Sequence, residues 1–87
     1  MSLPQVVVLD TRGAHDKATF LEACARSLDF PSYFGHNWDA LADSLGDFAA
    51  DKAPVLVVWT GFSDLDADVR DTAVEIMTER FVDGADL

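Results

Sequence analysis

The segment PVLVVWT, residues 54–60, is an almost uninterrupted run of apolar side chains. A strand that is buried on both faces of a parallel sheet has this composition, whereas a strand with one solvated face alternates apolar and polar residues. A second run, QVVVLD at residues 5–10, is rich in β-branched valine and is also predicted to be a strand. Parallel strands need a crossover of a dozen or more residues, usually helical, and the segment between these runs is long enough. The two runs therefore predict a small parallel sheet.

The first predicted helix lies between the two strands. Asp16 is a good N-cap residue, since its side chain can accept a hydrogen bond from the first helical turn. We expect the helix to end at Pro31, because the residue before a proline avoids the helical region. The apolar stripe of this helix consists of Phe20, Leu21, Cys24 and Leu28.

The second predicted helix begins at Asn37, another good N-cap residue. Gly35, in the loop before it, is expected to supply an unusual backbone angle. One face of the helix is apolar: Trp38, Leu41, Leu45 and Phe48. The opposite face is acidic: Asp39, Asp43 and Asp47. Like charges four residues apart destabilise a helix by roughly 0.2–0.5 kcal/mol, so this placement needs a physical reason. We expect AADKAP, residues 49–54, to be a linking turn.

A third helical segment follows the second strand. Its stripe consists of Val69, Ala73, Ile76, Met77 and Arg80. Gly84 is a good residue to end this helix, and ADL at residues 85–87 is where a third strand would begin. The order β-α-α-β-α, with a final β, predicts one α/β domain over residues 1–87, with a small parallel sheet and helices packed on it.

The amino-acid composition limits the classes of partner that the protein is expected to bind. The chain has 16 acidic and 6 basic residues, for a formal charge of −10. Nucleic acids and anionic membranes attract basic patches, so neither is an expected partner, whereas a basic protein is favoured. No apolar run approaches the ~20 residues of a membrane span, and MSLPQVVVLD does not read as a signal peptide. Cys24 is the only cysteine and cannot form an internal disulfide. A cytoplasmic protein without a cofactor is the expectation.

Enzyme and metal sites are weaker alternatives. Cys24 could act as a nucleophile with His15 or His36 as base, but it lies on an apolar stripe. His36 and Asp39 could share a metal, although a closed site needs three or four ligands. The run DLDADVRDTAVE has acids at calcium-loop spacing, but Val69 occupies the position that needs glycine.

The acidic face of the second helix is open to two interpretations. It is either a solvated helix face or, beside the aromatic residues of the preceding loop, a protein-binding surface.

The segment FPSYFGHNWDALADSL, residues 30–45, resembles the barstar family, intracellular inhibitors of secreted bacterial ribonucleases of the barnase type. Every fixed position of the family pattern P-x-Y-[YF]-G-x-N-x-D-A-L-x-D-x-L is met. PVLVVW with Phe62 resembles the family's second strand, and VEIMTER resembles its last helix. The resemblance implies a three-stranded parallel sheet with helices packed against it. Either ADL is the beginning of the last strand, or that strand is missing from the sequence.

The resemblance also implies an inhibitory mechanism. The second helix and the loop before it enter the basic active site of the ribonuclease, in a 1:1 complex, and a carboxylate replaces the RNA phosphate. Asp43 matches the central carboxylate and Asp39 the second one. The remaining predicted contacts are Tyr33, Phe34, Gly35, His36, Asn37, Ala42 and, peripherally, Glu79. Ala42 stands where the family has a tryptophan, and His36 replaces an acidic residue, so the exact partner stays open. A binding module for a different toxin or a regulatory protein is the alternative.

Overall fold

A parallel pair of strands forms the centre of the computed structural model, which describes residues 3–32 and 34–81. Strand β1 spans Gln5–Asp10 and strand β2 spans Val55–Thr60. They pair in parallel with Gln5 opposite Val55 and Asp10 opposite Thr60. The crossover between them contains helix α1, Lys17–Ser27, and helix α2, Trp38–Lys52. A short 3₁₀ turn, Phe62–Asp64, then leads to helix α3, Ala67–Arg80. The described residues thus form a small compact α/β domain with a two-stranded parallel sheet.

The core lies between one face of the sheet and the helices. Leu9 of β1 is fully buried and belongs to the same cluster as the apolar stripes of all three helices. The predicted stripes are confirmed at most positions. The stripe residues buried in this core are Phe20, Leu21, Cys24, Leu28, Leu41, Leu45, Phe48, Val69, Ala73 and Met77.

The prediction that the second strand is buried on both faces is wrong, and the first strand is also exposed on one face. The even-numbered side chains Val6, Val8, Leu56 and Val58 are between 42% and 64% exposed. The odd-numbered positions face the helices, and in-register pairing brings the even-numbered ones together on the opposite face. An apolar run therefore signals strand character here without requiring cover on both sides.

Two predicted element ends differ from the structure. Helix α1 ends at Ser27, before Pro31, because the backbone turns at Asp29, whose φ of 55° is left-handed. Helix α2 continues to Lys52, through most of the segment predicted as a turn. Pro54 restricts only the residue immediately before it, and Ala53 accordingly has the extended ψ of 138°. The predicted helix end at Gly84 and the predicted strand at residues 85–87 lie outside the described residues.

Gly61 allows the loops at the carboxyl ends of the two strands to lie against each other. Its φ is 79°, a left-handed angle that glycine adopts without a steric cost. A Cβ atom at this position would collide with the backbone of Thr11 and Arg12. The loop after β2 can therefore lie directly against the loop after β1. The backbone N–H of Gly13 and the Asp64 Oδ2 atom, 3.0 Å apart, add a hydrogen bond between the same two loops.

Candidate partner-binding site

Asn37 builds the start of helix α2. Its backbone is extended, with φ −143° and ψ 167°, and its side-chain Oδ1 accepts a hydrogen bond from the Ala40 N–H at 2.8 Å. The Asn37 N–H donates to the Gly35 carbonyl oxygen at 2.8 Å. The predicted N-cap is confirmed. One residue thus satisfies an otherwise unpaired amide of the helix and closes the preceding loop against it.

Phe34 holds this loop to the body of the protein. Its side chain is only 7% exposed, and its ring centroid lies 5.0 Å from that of Phe30. The Phe34 N–H donates to the Pro31 carbonyl at 2.9 Å. The His36 ring lies beside that of Phe34, with 5.2 Å between centroids, and belongs to an exposed residue. Both residues are predicted contacts. The exposed His36 side chain is accessible to a partner, whereas the buried Phe34 side chain mainly anchors the loop.

Gly35 serves a different purpose from the one predicted. Its φ is not in the left-handed region, so the expected unusual backbone angle is wrong. A Cβ atom at Gly35 would lie 3.2 Å from the Nδ2 of Asn37, which is tighter than an ordinary van der Waals contact. Glycine is therefore used here to leave room for the capping side chain.

Three carboxylates form an acidic ridge along α2: Asp39, Asp43 and Asp47. They lie on the side of the helix opposite Leu41 and Leu45, which are fully buried. Among residues 3–32 and 34–81, the ion pairs join Asp10 to Arg12, Asp51 to Lys52 and Glu79 to Arg80. No cation of the described chain is thus paired with the ridge. It presents a run of negative charge that a basic surface could neutralise.

The neighbouring helix α3 contributes the last predicted residues. Ala42 is half-buried on the side of α2, and its carbonyl oxygen accepts a hydrogen bond from the Nε–H of Arg80 at 2.9 Å. Glu79 is exposed, and its carboxylate lies 3.6 Å from the Nη1 of Arg80. Ala42 and Glu79 are therefore linked through Arg80. Tyr33, the remaining predicted contact, lies outside the described residues.

Arg80 lies beside the site, although the sequence pattern places it only on the core stripe of its own helix. The available signal was the pair Ala42 and Gly46. Small residues one turn apart leave room on a helix flank for a long side chain from a neighbouring helix. The periodicity of α3 alone does not show which element Arg80 meets.

The alternative sites are less well supported by the geometry. Cys24 is fully buried, and desolvation raises the pKa of its thiol to about 12, which suppresses the nucleophilic thiolate. Asp64, the first acid of the calcium-like run, is bonded to the Gly13 N–H. Within the described residues, no three His, Cys, Asp or Glu side chains are grouped to hold a metal ion. No helix in this part of the chain is long and apolar enough to cross a membrane.

Comparison with known proteins agrees with the motif in the loop and in α2. The family model described as Barstar (barnase inhibitor) matches residues 4–84, nearly the whole chain. No curated protein and no solved structure matches the sequence of this protein. The matched region includes the capped start of α2, the acidic ridge and all three helices. The chain belongs to the barstar family.

Proposed function

We propose that the protein is a stoichiometric inhibitor of a secreted, guanyl-specific microbial ribonuclease. The observation that carries the proposal is the acidic ridge, unpaired with any cation of the described chain and joined to a loop whose shape is held by Asn37 and Phe34. Family membership supports the same conclusion, since the family description is that of a barnase inhibitor. Proteins of this family are inhibitors rather than enzymes, and we propose no catalytic role.

In the proposed mechanism, the Asp43 carboxylate occupies the position of an RNA phosphate in the ribonuclease active site. Arginine, lysine and histidine side chains that bind phosphate can donate charge-assisted hydrogen bonds to a carboxylate, and arginine can do so through two parallel bonds. Asp39, one turn earlier on the same face, supplies a second negative group. Attraction of this kind is strongest when water is excluded from the closed interface.

The loop before α2 is proposed to complete the contact surface. Tyr33, Gly35, His36 and Asn37 would lie against the rim of the cleft, and Phe34 would act chiefly by holding the loop. Because the Asn37 cap and the buried Phe34 ring already order this segment, little conformational entropy is lost on binding. Ala42 would leave a smaller contact than the family's tryptophan, and Glu79 would add a peripheral charge.

The same proposal includes the setting of the protein. We propose a 1:1 complex formed in the cytoplasm of the cell that produces the ribonuclease, with no cofactor, nucleic acid or membrane involved.

We also propose a single domain whose sheet gains a third strand along the edge of β2 that is not paired with β1. A groove of about 530 Å³ beside that edge, lined by Val57, Trp59 and Met77 among others, supports this position.

The test is titration of a guanyl-specific microbial ribonuclease with the protein during RNA hydrolysis. A sharp endpoint at an equimolar ratio is expected. Asp43→Ala should weaken inhibition by several kcal/mol, because it would leave the partner's cations buried and unpaired. Asp71→Ala is the matched control, since it removes the same charge from an exposed position on α3. Equal losses for the two variants would contradict a phosphate-mimicking role for Asp43.

A second candidate is a binding module of the same fold for another toxin or a regulatory protein. Ala42 and His36 favour it, because both depart from the family pattern within the proposed contact surface. Calorimetry against a panel of basic ribonucleases separates the two candidates. Absence of binding to every ribonuclease in the panel would favour the second.

A further inference from the structure

Helices α2 and α3 meet along a strip of small residues. On α2, Ala42 and Gly46 lie one turn apart, on the flank between the buried face and the acidic ridge. Arg80 of α3 lies across this strip. A Cβ atom added at Gly46 would be 3.7 Å from Arg80 Nε and 3.8 Å from Arg80 Cδ, which is ordinary van der Waals distance, so the Arg80 side chain lies next to this position.

The acceptor of the Arg80 hydrogen bond is a backbone carbonyl of the neighbouring helix. The Nε–H donates to the carbonyl of Ala42, in the interior of α2, at 2.9 Å. The Arg80 side chain is 31% exposed, so this charge-assisted bond is partly shielded from water. Arg80 thereby connects the end of α3 to the residue immediately before Asp43.

Arg80 also neighbours Glu79. Their side chains are 3.6 Å apart, but the glutamate is 56% exposed, and ion pairs of this type contribute little stability on their own. The larger effect of Arg80 on Glu79 is therefore positional. By fastening the last turn of α3 to α2, it sets where the Glu79 carboxylate lies relative to the ridge.

We propose that Arg80 is a positioning residue, which docks α3 on the Ala42–Gly46 strip and holds Glu79 in one binding surface with Asp43. This inference rests on the proposed inhibitory function. It makes the surface a two-helix structure whose second helix is oriented by one guanidinium.

The docking is tested first without any partner, by amide hydrogen exchange of the full chain. The Phe81 N–H donates to the Met77 carbonyl in the last turn of α3 and reports on that turn. Arg80→Met should lower the protection factor of the Phe81 amide severalfold more than that of the Leu9 amide in β1. Arg80→Leu, which also removes every donor, should lower it as well, and it replaces the methionine variant if that one fails to fold. Unchanged protection at Phe81 in the folded variant would overturn the docking.

The positioning of Glu79 is tested by a double-mutant cycle on inhibition of the ribonuclease. Glu79→Gln is expected to raise the inhibition constant about threefold in the wild-type background, as for an exposed charge contact. The same change should have no effect in the Arg80→Met background. Arg26→Met, on exposed α1 surface, is the matched control for the lost positive charge, and Glu79→Gln should keep its full effect beside it.

The inhibition and hydrogen-exchange measurements distinguish failure of the proposed function from failure of the docking. If the wild-type protein does not inhibit at any ratio, the proposed function fails, and the role of Glu79 in it fails too, while hydrogen exchange still decides the docking. If the wild type inhibits and Glu79→Gln has the same effect with and without Arg80, positioning by Arg80 is overturned and the proposed function stands.

Discussion

At the scale of single residues, Asp39 and Asp43 differ in how the helix supports them. Asp39 lies in the first turn of α2, where the positive end of the helix dipole stabilises a carboxylate. Asp43 lies one turn later, beyond most of that effect, and is repelled by Asp39. The small destabilisation of the free helix is the expected consequence of presenting charge to a partner. Of these two carboxylates, the one that its own helix supports less is the one proposed to be central in binding.

Cys24 allows a prediction about pH. Burial raises the pKa of its thiol from an ordinary value of 9.0 to about 12, so the folded protein keeps a proton that the unfolded chain releases above pH 9.0. The stability that Cys24 contributes is therefore complete below that pH and is lost as the pH rises. Between about pH 8 and about pH 10.5, the free energy of unfolding should fall by about 2 kcal/mol more in the wild type than in Cys24→Ala. Urea denaturation under reducing conditions measures this difference, and parallel curves for the two proteins would contradict it.

At the scale of secondary-structure elements, α1 and α2 begin with similar caps but different surroundings. Asp16 accepts a hydrogen bond from the Thr19 N–H at 2.9 Å, and the Thr19 hydroxyl completes a capping box, far from the proposed site in the chain. Asn37 caps α2 within the proposed contact surface. Removing one cap or the other therefore distinguishes an effect on helix stability from an effect on partner binding.

Removing each cap should separate these effects. Asp16→Ala and Asn37→Ala are each expected to lower the free energy of unfolding by about 1 kcal/mol, the usual cost of losing a cap. Only Asn37→Ala should also weaken inhibition, because it frees the loop before α2 and removes a proposed contact. Thermal or urea unfolding and the inhibition titration provide the two measurements. A comparable loss of inhibition in Asp16→Ala would mean that stability alone explains the effect.

Gly61 and Gly13 form a second matched pair, in the loops after β2 and β1. Both have a left-handed backbone, with φ of 79° and 84°. A Cβ atom at Gly13 would have no neighbour within 4 Å, whereas a Cβ atom at Gly61 would meet the backbone of Arg12. Gly13→Ala should therefore cost only about 1 kcal/mol, from the backbone angle. Gly61→Ala should cost at least about 3 kcal/mol, because the strand loops must separate. Equal unfolding midpoints for the two variants would refute the close approach.

At the scale of the whole molecule, the formal charge of −10 acts over a longer range than any one contact. It attracts a basic ribonuclease before the two surfaces meet, and salt screens such attraction over about 10 Å at 0.1 M. The association rate measured by stopped flow should therefore fall at least about tenfold between roughly 0.01 M and 0.15 M salt. The dissociation rate should change much less. An association rate that is independent of salt would contradict electrostatic steering.

Much of the fold could be predicted from local patterns. The helix stripes and the caps at Asp16 and Asn37 were predicted correctly, because side-chain spacing and capping chemistry act within one or two turns. The end of α1 was not, because it depends on the left-handed backbone of Asp29 rather than on Pro31. The prediction that a strand is buried on both faces was also wrong, because the apolar composition of a strand does not show on which faces of the sheet helices pack. The acidic ridge was predicted from periodicity, but its lack of cationic neighbours on other described elements was not.

The sequence by itself determined the parallel α/β class, the capped start of α2 and the separation of its acidic and apolar faces. These features follow from hydrogen bonding and periodicity over short stretches of chain. Tertiary structure alone decided that the Phe34 side chain is buried in the core and that Arg80 reaches Ala42 across 38 positions of the sequence. Such contacts depend on how separate elements approach one another in space, and local periodicity carries no information about that approach.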